Sequence, residues 1–296
     1  MRRRLDTELV RRGLATSREV ARGLVQDGAV LVGGSLADKP ARLVSESEPV
    51  VVLDLVARRF VSRGGEKLDA GLDRFAVDPA GRRCLDAGAS TGGFTDCLLR
   101  RGASRVVAVD VGHGQLDASL RHDPRVEVLE RTNIRALTLA CVGGSPFDLV
   151  VADLSFISLA TVAPVLAGEL AAPGADVVVL VKPQFEAGRA EVSRGKGVIR
   201  LAGVRRAALG RVASAFASQG ATIMGAMASP LLGPAGNAEF LLHARAHTPA
   251  PDLSSRTADA VGAVLDAAVQ SAPDALSDPV PAPDPDPDKT TAPEGR

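Results

Sequence analysis

A short apolar strand that runs into a glycine-containing turn constrains the fold of this chain more than any other feature. Residues 83–94 read Arg-Cys-Leu-Asp-Ala-Gly-Ala-Ser-Thr-Gly-Gly-Phe, and residues 104–110 form a second apolar run that ends in Asp110. A strand, a glycine turn, a helix and a strand with a terminal acid make up the first half of a nucleotide-binding, doubly wound sheet. The pattern therefore predicts an α/β, Rossmann-like domain.

The spacing of the turn favours one ligand over its relatives. A dinucleotide-binding turn reads G-x-G-x-x-G, whereas here Asp86 is followed by Gly88, Gly92 and Gly93. We predict S-adenosylmethionine, which has no pyrophosphate. Asp86 suits its cationic end, and Asp110 can accept hydrogen bonds from its ribose hydroxyls. The alternatives are NAD and a tight turn that binds no ligand.

Later predicted strands of this domain also end in polar side chains. Asn133 follows the third strand, where many methyltransferases place a polar group against the adenine, and Asp153 and Lys182 end the fourth and fifth strands. Because ligands of such sheets bind outside the carboxyl ends of the strands, we expect one crevice to contain Asp86, Asp110, Asn133 and Asp153. The predicted cofactor-binding residues are Asp86, Gly88, Ser90, Thr91, Gly92, Gly93, Phe94, Asp110, Asn133 and Asp153.

Four ionisable residues are expected on the ligand side of this sheet: Lys67, Asp153, Lys182 and Glu239. A hydroxyl is a poor nucleophile at neutral pH and needs a base or a stabilised alkoxide. We predict a catalytic tetrad that activates a ribose 2′-hydroxyl. In it, a desolvated lysine beside another cation is neutral enough to accept the proton, and Asp153 and Glu239 orient the lysines. The alternative is a pair of structural salt bridges.

Composition limits the class of protein. With 46% hydrophobic residues but no Trp or Tyr, the core must be aliphatic, as in α/β domains. The three cysteines lack C-x-x-C spacing, which argues against a zinc site or a disulfide framework and favours a reducing compartment. The chain has no run of 18 apolar residues and no apolar segment after its N-terminal arginines. We therefore expect a cytoplasmic protein without a membrane span, a signal peptide or a metal.

Residues 1–56 predict a small module of two helices and a hairpin. Seven arginines crowd the helical pair, against three carboxylates in the same span. Arginine binds phosphate through its bidentate fork, so the module predicts a surface for a nucleic-acid backbone, with a solvated helix face as the alternative. The remaining predicted segments are a linker at 57–62, the Rossmann-like domain at 63–248, a terminal helix within 249–271 and a disordered, acidic, Pro-rich tail at 272–296.

Several motifs resemble known families. Residues 4–40, from Arg4-Leu5-Asp6 to Lys39-Pro40, are similar to the small RNA-binding module typified by ribosomal protein S-four. The turn at 86–94, the segment Ser62-Arg63-Gly64-Gly65-x-Lys67-Leu68, the segment Gly236-Asn237-x-Glu239-Phe240 and the tetrad order together resemble the TlyA family. The resemblance covers about residues 1–245.

The resemblance to the TlyA family implies an S-adenosylmethionine-dependent methyltransferase with an FtsJ-like catalytic domain. Its expected substrate is a ribose 2′-hydroxyl of a cytidine in 16S, and in some cases 23S, ribosomal RNA within ribosomal subunits. Because the family also carries haemolysin names, a membrane-active protein is one alternative, and a non-catalytic RNA-binding protein is another. The predicted RNA-binding residues are Arg3, Arg4, Arg11, Arg12, Arg18, Arg22, Lys39, Arg63 and Lys196.

Overall fold

The computed structural model describes residues 2–26, 28–37, 39–52, 59–188, 193, 195, 197–233, 235–246 and 258–272. The N-terminal module contains two helices and five short strands. They are β1 (Arg2–Arg4), α1 (Leu5–Arg11), α2 (Arg18–Gln26), β2 (Val30–Val32), β3 (Ser35–Leu36), β4 (Leu43–Ser45) and β5 (Val50–Val52). Strand β1 pairs antiparallel with β4, and β2 lies between β3 and β5.

The apolar faces of the two helices form the core of this module. Leu5 and Leu9 of α1 pack with Ala21 and Val25 of α2 over the strand residue Val30. Helix α2 begins at Arg18, directly after Ser17, and the hydroxyl of Ser17 accepts a hydrogen bond of 3.1 Å from the amide of Val20. Such a cap satisfies an amide that would otherwise have no partner.

The second domain is a seven-stranded sheet with helices on both faces. Its elements are α3 (Arg63–Phe75), β6 (Arg83–Ala87), α4 (Gly93–Arg100), β7 (Arg105–Val109), α5 (Ala118–Arg121), β8 (Val126–Leu129), β9 (Phe147–Ala152), α6 (Leu159–Ala163), β10 (Ala171–Val181), α7 (Pro183–Glu186), α8 (Ala202–Ala217), β11 (Thr222–Ala228), β12 (Phe240–Arg245) and α9 (Ala258–Gln270).

The strand order is β11-β12-β10-β9-β6-β7-β8. Strands β6 to β10 are parallel, and β12 is antiparallel to both of its neighbours. This is the predicted doubly wound α/β architecture. Because the order reverses beside β6, the carboxyl ends of β6 and β9 open onto a crevice where such sheets bind ligands.

Alternate residues of the central strands serve two different cores. Leu85 and Val107 face a core shared with α6, α8 and α9, whereas Cys84 and Val106 face one shared with α3 and α4. A sheet that is covered on both sides needs apolar residues at successive positions, which explains the continuous Val/Leu runs in the sequence.

A buried charge cluster closes the end of the sheet remote from the crevice. The carboxylate of Asp176 lies 2.8 Å from Nε2 of His243 and accepts hydrogen bonds from Arg82 at 2.7 Å and Arg245 at 3.3 Å. Burial acts to raise the pKa of Asp176, but these donors outweigh it and hold the pKa well below its ordinary range. The cluster is therefore structural.

The last described element is helix α9 (Ala258–Gln270). Helix α9 buries Leu265, Ala268 and Val269 against the sheet and α8. The predicted disordered tail falls almost wholly outside the described residues, which end at 272. Within the described part of the chain, the helices are all too short or too polar to cross a membrane.

Candidate active site and nucleic-acid interface

The four predicted catalytic residues meet as two ion pairs at the carboxyl ends of the strands. Lys67, in the first turns of α3, donates a hydrogen bond of 2.6 Å to Glu239, which immediately precedes β12. Lys182 follows β10, and its Nζ lies 2.5 Å from Oδ1 of Asp153, just after β9. Lys182 also donates a hydrogen bond of 2.9 Å to the hydroxyl of Ser155.

The electrostatics of this group bear on the expectation of a neutral lysine base. Burial lowers the pKa of Lys182, but the charges of Asp153 and Glu239 outweigh it, so that the pKa lies above its ordinary value. Burial likewise acts to raise the pKa of Asp153, and Lys182 and Lys67 outweigh that effect and lower it. Both shifts favour the charged form of the Lys182–Asp153 pair and so give no support to the expected neutral lysine base.

The ion pairs line a cavity of about 410 Å³. Its wall contains all four of these residues together with five predicted cofactor-binding residues of the glycine turn, Gly88, Ser90, Thr91, Gly93 and Phe94. The predicted RNA-binding residue Arg63 lies in the wall too and donates a hydrogen bond of 3.0 Å to the carbonyl of Leu232. The cofactor turn and the ionisable group thus share one space.

The glycine turn brings backbone unusually close to the ionisable group. Gly88 has a φ of +88°, and a Cβ built on it would lie 2.5 Å from the carbonyl oxygen of Asp153. Any other residue at position 88 would therefore collide with the backbone that carries Asp153. Gly92 also has a positive φ, +98°, and it precedes the first residue of α4. Both positions require glycine for conformation as well as for space.

Asp86 lies beneath this turn and is completely buried. Its Oδ2 accepts a hydrogen bond of 2.7 Å from the hydroxyl of Thr95, while Oδ1 has no partner among the described residues. Burial raises the pKa of Asp86 to about 7, although the bond from Thr95 opposes the shift. A buried carboxylate oxygen without a partner is costly, and a cationic ligand group would relieve that cost.

Asp110 lies at the end of β7, beside the same turn. It accepts hydrogen bonds from the backbone amides of Ser90 at 2.9 Å and Gly112 at 2.7 Å. Each carboxylate oxygen retains further acceptor capacity. Asn133 is more remote: it is exposed, is absent from the cavity wall, and caps a 3-10 turn by accepting a hydrogen bond of 3.0 Å from the amide of Arg135.

The cavity wall also contains residues that were not among the predicted site residues, and four of them are Ser155, Phe156, Phe185 and Asn237. Ser155 binds Lys182, and Asn237 is a buried amide two residues before Glu239. Phe156 is 91% exposed, has a φ of +63°, and its ring centroid lies 5.1 Å from that of Phe185. In the sequence, the position of Phe185 in the cavity wall could be inferred only from the order Lys-Pro-x-Phe after β10. Nothing in the sequence indicates the positive φ of Phe156.

The arginines of the N-terminal module are gathered by two buried carboxylates. Asp6 is fully buried and accepts hydrogen bonds from Arg4 at 2.8 Å, Arg18 at 3.2 Å and Arg22 at 3.5 Å. Burial acts to raise the pKa of Asp6, but the bonds from Arg4 and Arg18 hold it well below its ordinary range. These three guanidinium groups remain about half exposed, so one anchor presents three cations.

Glu8 anchors a second group in the same way. It accepts two hydrogen bonds from Arg11, which lower its pKa to about 2, and Arg3 lies 3.9 Å away. Arg12 also binds Glu8, but its terminal nitrogens donate to the carbonyls of Ser45, Glu46 and Glu48. Arg12 therefore holds the turn between β4 and β5, and the structure does not support its predicted contact with RNA.

Two predicted RNA-binding lysines remain. Lys39 is exposed. Lys196 lies outside the described residues. A search of the described ranges found no group of three or more His, Cys, Asp or Glu residues arranged to hold a metal ion.

Comparisons with known proteins agree with both halves of this architecture. Residues 60–246 match the family model of the FtsJ-like methyltransferases, and residues 3–50 match the S4 domain. The chain is 54% identical over 247 residues to the 16S/23S rRNA (cytidine-2′-O)-methyltransferase TlyA of Mycobacterium tuberculosis. This alignment covers 83% of this chain and 91% of the relative. It is 38% identical over 241 residues to Hemolysin A of Brachyspira hyodysenteriae, covering 81% and 98%.

A solved structure from Streptococcus thermophilus, named as a haemolysin, superposes with a TM-score of 0.67 at 35% identity. The match covers 91% of this chain and 96% of that one. A family model that spans most of the chain and a relative that shares more than half of the aligned residues lead to one conclusion. The chain belongs to the TlyA family of FtsJ-like methyltransferases.

Proposed function

We propose that this protein transfers a methyl group to the ribose 2′-hydroxyl of a cytidine in ribosomal RNA within ribosomal subunits. The observation that carries the proposal is the pair of lysine–carboxylate contacts, Lys182 with Asp153 and Lys67 with Glu239, in the wall of the cavity that the glycine turn also lines. The ribosomal RNA in both subunits is taken from the name of the relative from M. tuberculosis.

S-adenosylmethionine fits the residues around the glycine turn and, when bound, supplies the methyl group. The unpartnered Oδ1 of Asp86 suits a cationic group, and Asp110 has acceptor capacity left for ribose hydroxyls. Gly88 lets the turn pack directly against the backbone that carries Asp153. A pyrophosphate would instead require the G-x-G-x-x-G spacing that this turn lacks.

Lys182 has the geometry to act on the 2′-oxygen. Asp153 and Ser155 fix its Nζ, and the two carboxylates of the group keep it charged. A fixed ammonium in the cavity wall stabilises the negative charge that develops on an oxygen as it loses its proton. The oxygen becomes strongly acidic as its bond to the methyl carbon forms, so the weakly basic carboxylate of Asp153 suffices to accept the proton.

The mouth of the cavity supports a nucleic-acid substrate. Phe156 is almost fully exposed there and stands beside Phe185. Unpaired RNA bases stack on exposed aromatic side chains. The arginines on Asp6 and Glu8 would provide phosphate contacts at a distance from the reacting sugar, and these contacts carry no sequence information.

The test is methylation of isolated ribosomal subunits whose RNA lacks the modification. The full-length protein is incubated with methyl-labelled S-adenosylmethionine and either small or large subunits, and the RNA is digested to nucleosides for mass spectrometry. We expect 2′-O-methylcytidine from both subunits, and none with Lys182→Ala. Label on a base, or no label from either subunit, would contradict the proposal, and label from one subunit alone would narrow it.

A further inference from the structure

One wall of the cavity is held by a buried amide that the proposed chemistry does not use. Gly197 lines the cavity. Its carbonyl accepts a hydrogen bond of 2.9 Å from Nδ2 of Asn237, and the amide of Ile199 donates one of 2.8 Å to Oδ1 of the same side chain. Asn237 is only 1% exposed, so both polar ends of its side chain are committed to this segment.

One further hydrogen bond and the burial of Ile199 also hold the Gly197–Ile199 segment in place. Nε of Arg205, a buried arginine in α8, donates a hydrogen bond of 2.9 Å to the carbonyl of Ile199. Ile199 itself is buried at 4% exposure. Burying a polar side chain is costly unless it is hydrogen-bonded. Both buried polar side chains satisfy this condition by holding the backbone of one short loop.

Asn237 connects this segment to the ionisable group. It lies two residues before Glu239, and both residues line the cavity beside Lys67. The backbone carbonyl of Asn237 accepts a hydrogen bond of 2.8 Å from the amide of Gly233. Gly233 in turn lies against Glu239, since a Cβ added to Gly233 would collide with the carboxylate of Glu239. A shift of the Asn237 side chain would therefore move the wall at Gly197 relative to Glu239.

We propose that Asn237 is a positioning residue that keeps the wall at Gly197 in register with the lysine–carboxylate pairs and so fixes where the target nucleotide sits. The inference rests on the proposed function. Asparagine is the suitable residue because it offers an acceptor and a donor on one planar group. Aspartate would keep the acceptor for Ile199 but would turn a second oxygen towards the carbonyl of Gly197.

The test compares Asn237→Ala and Asn237→Asp with the wild type in three measurements. In subunit methylation, both variants should lose about tenfold or more in kcat, since small misplacements of a reacting group cost up to two orders of magnitude. S-adenosylmethionine affinity should stay within about twofold by calorimetry, because the hydrogen bonds of the Asn237 side chain among the described residues go to Gly197 and Ile199 and not to the glycine turn. Hydrogen exchange at residues 197–199 should accelerate in both variants.

His243→Ala is the matched control. His243 is a buried polar residue of β12 at the far end of the sheet, so its loss should lower the melting temperature without changing kcat at a temperature where the protein is folded. If Asn237→Ala does not fold, Asn237→Asp carries the comparison. Full turnover in folded Asn237 variants would overturn the inference but not the proposed function. A loss of cofactor affinity as large as the loss of kcat would do the same. A wild type that is inactive on both subunits would overturn the proposed function as well.

Discussion

The N-terminal module and the catalytic cavity both pair basic side chains with carboxylates, but in opposite ways. In the module, Asp6 is buried and three half-exposed arginines share it. In the cavity, Lys67 and Glu239 form a one-to-one pair in which both partners are buried. An exposed excess of cations attracts a polyanion from a distance, whereas a buried, balanced pair has little field outside the protein and acts only on an atom that enters the cavity.

The largest expected effect comes from the balanced pairs. Lys182→Ala should lower kcat for methyl transfer by about 10²–10³-fold, the usual result of removing one donor that stabilises developing charge. Lys182→Arg should also lose most of its activity, because the wider guanidinium cannot keep the contacts with both Asp153 and Ser155. Single-turnover assays measure the loss, with calorimetry to check that cofactor binding is retained. Near-normal turnover in Lys182→Ala would reduce the pair to a structural salt bridge.

The next effect concerns stability. Glu239→Gln removes the carboxylate to which Lys67 is hydrogen-bonded and leaves Lys67 only the charge of Asp153, which Lys182 already shares. We expect the free energy of unfolding to fall by about 3 kcal/mol. The double variant Lys67→Met with Glu239→Leu should recover most of that loss, because an apolar pair replaces a buried ion pair. It should nevertheless remain inactive. Chemical denaturation measures all three proteins. A double variant no more stable than Glu239→Gln would mean that the local packing cannot accept apolar side chains.

A smaller effect should separate exposed arginines from internal ones. Replacing Arg18 and Arg22 by Gln should weaken binding to ribosomal RNA by about tenfold at low salt. The slope of log affinity against log salt concentration should become shallower by about two, one for each lost phosphate contact. Arg12→Gln is the matched control, since its donors are bound internally. It should lower the stability of the module and leave the salt slope unchanged. Equal salt slopes for the two proteins would remove the distinction between the arginines.

The smallest expected effect is on the pH dependence of cofactor binding. With a pKa of about 7, Asp86 is largely protonated in the free protein below neutrality, and a cationic ligand group requires its ionised form. Affinity for S-adenosylmethionine should therefore rise by about fourfold from pH 6.5 to pH 8. Asp86→Asn should bind more weakly and show no such rise in calorimetric titrations. A flat profile in the wild type would place the cationic group of the cofactor elsewhere.

Features of the site that depend on residues close together in the sequence, or on strand order, could be predicted, whereas features that depend on contacts between distant segments could not. The turn around Gly88 and the meeting of Asp153 with Lys182 follow from strand order, because parallel strands end at one edge. The protonation of Lys182 depends on distances to two carboxylates in other segments, and the internal role of Arg12 on carbonyls more than 30 residues away. The amide clamp at Asn237 similarly joins a loop to a segment about 40 residues further on.

The position of β12 has a consequence for how the enzyme is made. Its antiparallel insertion between β10 and β11 delivers Glu239 to Lys67 across 172 residues, so the second ion pair joins the beginning of the domain to its end. During synthesis the glycine turn and the first parallel strands emerge long before β12, and long-range contacts of this kind form late. A nascent or truncated chain would carry a cofactor turn but an incomplete wall of ionisable residues. Methyl transfer would then begin only after the last strand of the sheet has been inserted.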